Sequence, residues 1–159
     1  ITKAYCTRVG SGPFPTELTD ETGDFLRNAG NEFGSTTGRP RRCGWIDGVA
    51  LQFACMINGV TQIVMTKADI LDGLEQLKVC TKYKIDDQET NRVPFQMLKS
   101  KPEAIYETLE GWNTDITKID DYNNMPAAMK TYINYLNKFL GVPVKYISNG
   151  PGREQLVKA

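Results

Sequence analysis

The residues best suited to chemistry lie between Gly30 and Arg42, in the run Gly-Asn-Glu-Phe-Gly-Ser-Thr-Thr-Gly-Arg-Pro-Arg-Arg. Three glycines, two adjacent threonines and three arginines fall within these thirteen residues. Glycine lets a backbone take φ > 0 and come close to a ligand. Threonine supplies hydroxyls, and arginine supplies planar forks of donors that match carboxylates and phosphates two bonds at a time. A loop of this composition can close on a small anion. The same composition also makes a solvated glycine-rich turn with helix-flanking charges.

A second cluster is Thr66-Lys67-Ala68-Asp69, at the carboxyl end of a predicted strand. A Lys-x-Asp pair placed there can read guanine. The Asp69 carboxylate accepts from the ring N–H and the exocyclic amine, while the alkyl stem of Lys67 lies along the base. Adenine presents a different edge and leaves that carboxylate unpaired, a loss of ~1–3 kcal/mol in a partly dry site. The four residues also fit a helix cap at Asp69 beside a solvated lysine. Two more glycine-rich loops, Val9 to Thr16 and Ser148 to Arg153, follow predicted strands. Together the four loops suggest one crevice at one edge of a sheet. Neither a GxxxxGK[ST] loop nor a GxGxxG fingerprint occurs, so the phosphate-binding part of any nucleotide site lies elsewhere.

The elements that must position these loops follow from periodicity. Ile1 to Val9 alternates like a strand from its first residue, with no initiator Met and no signal peptide, and the chain reads as cut from a longer polypeptide. Asp20 precedes a short helix with acids in its first turn, which Gly30 ends as a C-cap. Cys43 to Asn58 reads as an apolar helix with Ile46, Val49, Ala50, Phe53, Ala54 and Ile57 on its core face. Thr61 to Thr66 is a buried strand, and the αβ alternation points to a mostly parallel sheet. Gln76 to Ile85 reads as a half-exposed strand. A hairpin with Thr90 to Phe95 and a further strand from Ala104 to Leu109 would make an antiparallel extension. The stretch from Thr114 to Asn124 carries no period. Pro126 opens a helix with Met129, Ile133, Leu136 and Leu140 as its buried stripe, capped by Gly141, before strands at Val142 to Ile147 and Gln155 to Val157. The expectation is a single α/β region, 1–159, with no internal boundary.

Bulk properties narrow the function classes. Nineteen basic and nineteen acidic residues give no net charge, so nothing electrostatic recommends nucleic acid or an anionic membrane. No apolar run approaches the ~20 residues a bilayer span needs. Cys6, Cys43, Cys55 and Cys80 are widely spaced, which argues for reduced thiols in a cytoplasmic protein. With no histidine, an enzyme here works through carboxylates, Lys, Arg, backbone amides or cysteine.

Four blocks carry a family resemblance: Tyr5 to Leu18, Gly30 to Trp45, Thr66 to Leu74 and Ser148 to Pro151. In order and spacing they resemble adenylosuccinate synthetase. The likeness covers essentially the whole chain, which looks like only the carboxyl-terminal two-fifths of that enzyme and so part of a larger P-loop-like GTP-binding fold. The resemblance implies a GTP-dependent ligase that joins IMP and L-aspartate through a 6-phosphoryl-IMP intermediate, giving adenylosuccinate, GDP and phosphate, with Mg²⁺ present and a homodimer as the full-length form. It implies that Val9 and Arg39 contact IMP. The loop of Ser35, Thr36, Thr37, Gly38, Arg39 and Arg41 would close over aspartate, with Thr37, Arg39 and Arg41 on its carboxylates. Arg41 would also lie near the GTP phosphates. Lys67, Ala68 and Asp69 would meet the guanine, with Ser148, Asn149 and Gly150 lining its other side. The family's phosphate loop, catalytic aspartate and histidine, and Mg²⁺ ligands lie upstream of these residues, so the chain alone is expected to be inactive. The alternatives are a non-catalytic guanine-nucleotide or anion-binding module, and a structural α/β domain whose arginines only make salt bridges.

Overall fold

The computed structural model describes Ile1–Ala159. The strands are β1 (Thr2–Lys3), β2 (Cys6–Arg8), β3 (Arg42–Gly44), β4 (Ile46–Asp47), β5 (Ile63–Thr66), β6 (Gln76–Ile85), β7 (Gln88–Thr90), β8 (Glu103–Glu110), β9 (Val144–Ser148) and β10 (Leu156–Lys158). The helices are α1 (Glu21–Ala29), α2 (Gly48–Ile57), α3 (Met97–Ser100) and α4 (Ala127–Leu140). The backbone divides into two compact units. One holds Ile1–Ala4, Leu51–Leu77 and Thr108–Ala159; the other holds Tyr5–Ala50 and Lys78–Glu107. Their segments interleave, so no single cut in the sequence separates them.

The first unit is built on the sheet β1-β5-β9-β10. β1 and β9 flank β5 in parallel, with Thr2 opposite Met65 and Met65 opposite Ile147. β10 returns antiparallel, Val157 opposite Ile147. The alternation of β5 buries Ile63 and Met65, and α4 buries Met129, Tyr132, Ile133, Leu136 and Leu140. Tyr132 joins that stripe; its hydroxyl donates to Ala4 O at 3.2 Å and its ring meets Trp112 edge-on at 5.7 Å. Pro126 is the residue before the first helical one, and Gly141 ends α4 at φ +67, where a side chain would be strained.

In the second unit β2 pairs antiparallel with β3, Thr7 opposite Cys43. β4 runs parallel to β6, which turns antiparallel into β7 through Asp86 and Asp87, both at positive φ as a two-residue hairpin turn requires. Its core centres on Val49, Cys80 and Tyr83, with Val93, Met97, Ala104 and Tyr106 packed against it. The chain is thus α/β, with parallel strands, flanking helices and an antiparallel extension.

Three predicted elements differ. The opening strand is broken at Ala4 and Tyr5, both buried, because the Tyr5 hydroxyl turns inward to Glu32 at 2.6 Å. The helix predicted from Cys43 begins at Gly48. Cys43 and Gly44 belong to a strand instead, Gly44 fitting against Thr16 O where a Cβ would collide, and Asp47 Oδ1 accepts from Ala50 N at 3.0 Å to start the helix. The buried residues of α2 are Gly48, Val49 and Cys55, whereas Phe53, Met56 and Ile57 are exposed. The strand predicted at Thr90 to Phe95 is instead β7, ending at Thr90.

Candidate functional site

The four predicted loops fall two to each unit. In the second unit, Gly30 to Arg42 forms a knuckle. Glu32 O accepts from Arg41 N at 2.9 Å, Arg39 O from Gly34 N at 2.9 Å, and Gly34 O from Gly38 N at 2.8 Å. Gly38 takes φ +64, which a β-carbon would oppose. These bonds present Ser35, Thr36, Thr37, Gly38 and Arg39 to solvent, with Thr37 Oγ1 bracing Arg39 N at 3.4 Å.

Arg41 is held differently. Its Nη1 donates to Glu32 Oε2 at 2.8 Å, its Nε is buried without a hydrogen-bond partner, and its carbonyl accepts from Arg27 Nε at 2.9 Å. Glu32 is wholly buried and receives the Tyr5 hydroxyl on its other oxygen. Gly30 lies beneath this cluster at φ −78, ψ −4, a conformation open to any residue. It is glycine because a Cβ would strike the Tyr5 hydroxyl and Leu26 O.

The loop from Val9 to Thr16 joins the knuckle through Arg42. That guanidinium donates to Gly12 O at 2.9 Å and Gly10 O at 3.1 Å and pairs with Glu17 at 2.5 Å. The pair and its hydrogen bond hold the Glu17 carboxyl below its ordinary pKa. Val9 stands exposed. A cavity of about 660 Å³ lies over Phe14, Glu17, Arg42 and Tyr106 but includes none of residues 35–41.

In the first unit, the other two loops leave the carboxyl ends of neighbouring parallel strands, β5 and β9. Lys67 takes φ 61 and hands the chain to a tight turn, Ala68–Leu71. Ala68 is fully buried, so it can offer a ligand only its backbone. Asp69 is half-buried, and desolvation raises its carboxyl pKa against its own backbone N–H and Lys67. Across the way, Ser148 Oγ donates to Gly150 O at 3.0 Å. Asn149 points inward: its Nδ2 donates to Ile116 O at 2.6 Å and Ile119 O at 2.8 Å, and its Oδ1 is buried with no partner. Gly150 leaves room for the Gln155 amide, which a Cβ would strike.

The arrangement therefore offers two chemistries. The knuckle gives hydroxyls and a free-standing Arg39 fork beside a fixed Arg41, suited to a dianion. The sheet edge gives a partly desolvated Asp69 carboxylate under the influence of Lys67, suited to a donor-bearing planar ring. Sequence reasoning missed Glu32, Tyr5 and Asp72, the last of which binds Trp112 and Ile116. Each meets partners distant in sequence, so only an acidic residue within a glycine-rich loop or turn marked Glu32 and Asp72 beforehand. No three Cys, Asp or Glu side chains gather closely enough to hold a metal ion.

Residues 1–157 match the family model described as adenylosuccinate synthetase. The adenylosuccinate synthetase of Azobacteroides pseudotrichonymphae is 55% identical over 157 residues, which cover 99% of this chain and 37% of that protein. That of Parabacteroides distasonis is 52% identical with the same coverage. A solved structure of the fully ligated adenylosuccinate synthetase from Plasmodium falciparum superposes at a TM-score of 0.93 and 36% identity, over 99% of this chain and 38% of that one. The chain spans about 37% of the length of these curated relatives. Matched by one family model along nearly its whole length, the chain belongs to the adenylosuccinate synthetase family.

Proposed function

We propose that this chain is the carboxyl-terminal part of a GTP-dependent ligase that joins IMP to L-aspartate, giving adenylosuccinate, GDP and phosphate through 6-phosphoryl-IMP. The observation that carries the reading is the family match over residues 1–157, in a chain that holds both an arginine-bearing loop and a carboxylate-bearing sheet edge. Val9 and Arg39 contact IMP. The tip from Ser35 to Arg39, with Arg41, closes on the aspartate carboxylates, for which fork-shaped donors are the natural partners. Arg41 also reaches toward the GTP phosphates, where a cation offsets developing charge. Lys67 and Asp69 read the guanine, with Ser148 and Gly150 opposite. Asn149 lies in that loop with its side chain turned inward.

The phosphate loop, the catalytic Asp and His and the Mg²⁺ ligands belong to the preceding part of the full-length enzyme. That enzyme is a homodimer working in the cytoplasm, and these residues alone are inactive. The test is an assay of the chain with IMP, aspartate, GTP and Mg²⁺. No adenylosuccinate is expected, and measurable product overturns the assignment of catalysis to the missing part. In the full-length enzyme Asp69→Asn should erase the preference for GTP over ATP, by about 10- to 100-fold in relative kcat/KM. A preference left intact removes Asp69 from the site.

A further inference from the structure

Asp72 ends the tight turn that carries Asp69, its backbone N–H donating to Asp69 O at 3.1 Å. One carboxylate oxygen accepts from Trp112 Nε1 at 2.7 Å and the other from Ile116 N at 3.0 Å. Gly73 N and Trp112 O add a 3.3 Å bond alongside. The segment Trp112–Ile119 is therefore strapped to the Asp69 turn. The same strap holds the opposite loop: Ile116 O and Ile119 O take the Asn149 amide, and Thr117 O takes Gln155 Nε2 at 2.9 Å. Gln155 in turn fixes Gly152 N through Oε1 at 2.8 Å. Trp112 and Ile116 are buried and anchor the strap, while Asn113, Thr114, Asp115 and Lys118 face solvent.

We propose that Asp72 is a positioning residue for base selection: through the Trp112–Ile119 strap it sets the spacing between the Asp69 turn and the Ser148–Gly150 loop. The proposal rests on the reading of Lys67 and Asp69 as the guanine site. Its chemical logic is that a carboxylate is the one side chain of that size able to accept from two N–H donors at once. An asparagine there keeps the shape but turns an NH₂ toward one of the two donors. A buried N–H left facing another donor pushes the strap away, and both loops move with it.

The experiment compares Asp72→Asn and Trp112→Phe with the wild type in the full-length ligase carrying this region, measuring kcat and the KM of each substrate with GTP and with ATP. Trp112→Phe removes one donor while keeping an aromatic ring against Tyr132, which guards against a variant that fails to fold. The expected result is a rise of about tenfold in the KM for GTP in both variants, a narrowed GTP-to-ATP ratio, and kcat and the KM values for IMP and aspartate within about twofold of wild type. A folded variant with unchanged KM for GTP overturns the proposal, as does an equal loss toward all three substrates, which marks a purely structural role. A wild-type enzyme with no preference for GTP would instead sink the guanine reading itself.

Discussion

The Arg41 guanidinium lies 2.8 Å from a Glu32 carboxylate that solvent does not reach. A surface ion pair is worth little, but this acid has no water to fall back on, and its other oxygen is committed to the Tyr5 hydroxyl. The pair fixes where one of the knuckle's three arginines begins. Glu32→Gln should lower stability by ~2 kcal/mol in urea denaturation, and Tyr5→Phe by ~1 kcal/mol. Wild-type midpoints for both would show that the cluster holds nothing in place.

Arg39 and Arg41 separate by the same logic. Arg39 is exposed, so Arg39→Ala should leave the melting temperature within a degree or two while raising the KM for aspartate about 100-fold in the full-length enzyme. Arg41→Ala should do both kinds of damage, since it also strands Glu32. Thermal melts beside steady-state kinetics check the contrast, and equal melting losses would contradict it.

Two glycines of one loop should fail for different reasons. Gly30→Ala drives a methyl into the Tyr5 hydroxyl and Leu26 O, at a cost of ~2–3 kcal/mol. Gly38 has open space around it but sits at φ +64, so Gly38→Ala costs only ~1 kcal/mol. Chemical denaturation of both variants measures the difference, and a reversed order would mean the knuckle repacks.

Burial pushes the Asp72 carboxyl up to about 6, with Asp115 and Asp69 adding to the shift and the N–H groups of Ile116 and Trp112 opposing it. The folded state therefore binds this proton more readily than the unfolded one. Its contribution to stability is full below about pH 4 and is lost as pH rises through about 6. Trp112 reports the step directly, because its indole N–H donates to that carboxylate. The fluorescence difference between wild type and Asp72→Asn should titrate with a midpoint near 6. A flat difference from pH 4 to 8 would place the proton elsewhere.

Features governed by neighbours in sequence were legible. The Asp20 cap, the α4 stripe closed by Gly141, and the long strand β6 follow from rules that act within one or two turns. The glycine content of residues 30–42 likewise announced a tight, exposed loop, which its own backbone bonds and the positive φ of Gly38 make. What escaped was set by distant partners. Cys43 and Gly44 looked helical until paired with Cys6 and Thr7, and the aperiodic stretch after Trp112 gains its order from Asp72 and Asn149. Asn149 reads as a ligand contact in a loop, yet its amide is spent on Ile116 and Ile119. Gly30 caps α1 as its position in the sequence predicts, but it is glycine for lack of a β-carbon rather than for a left-handed backbone.

The interleaving of the two units also sets an order of maturation on the ribosome. Every residue of the unit bearing the knuckle of residues 30–42 has been synthesised once Glu107 is added. The sheet bearing Lys67 and Asp69 must wait, with β5 bare along one side, until Val144 to Ser148 emerge to pair with it. Since nascent chains fold as their parts become available, the knuckle can mature while the edge of β5 is still an open strand. In that interval the β9-facing side of β5 is an unpaired strand edge, the kind of edge that invites wrong pairing.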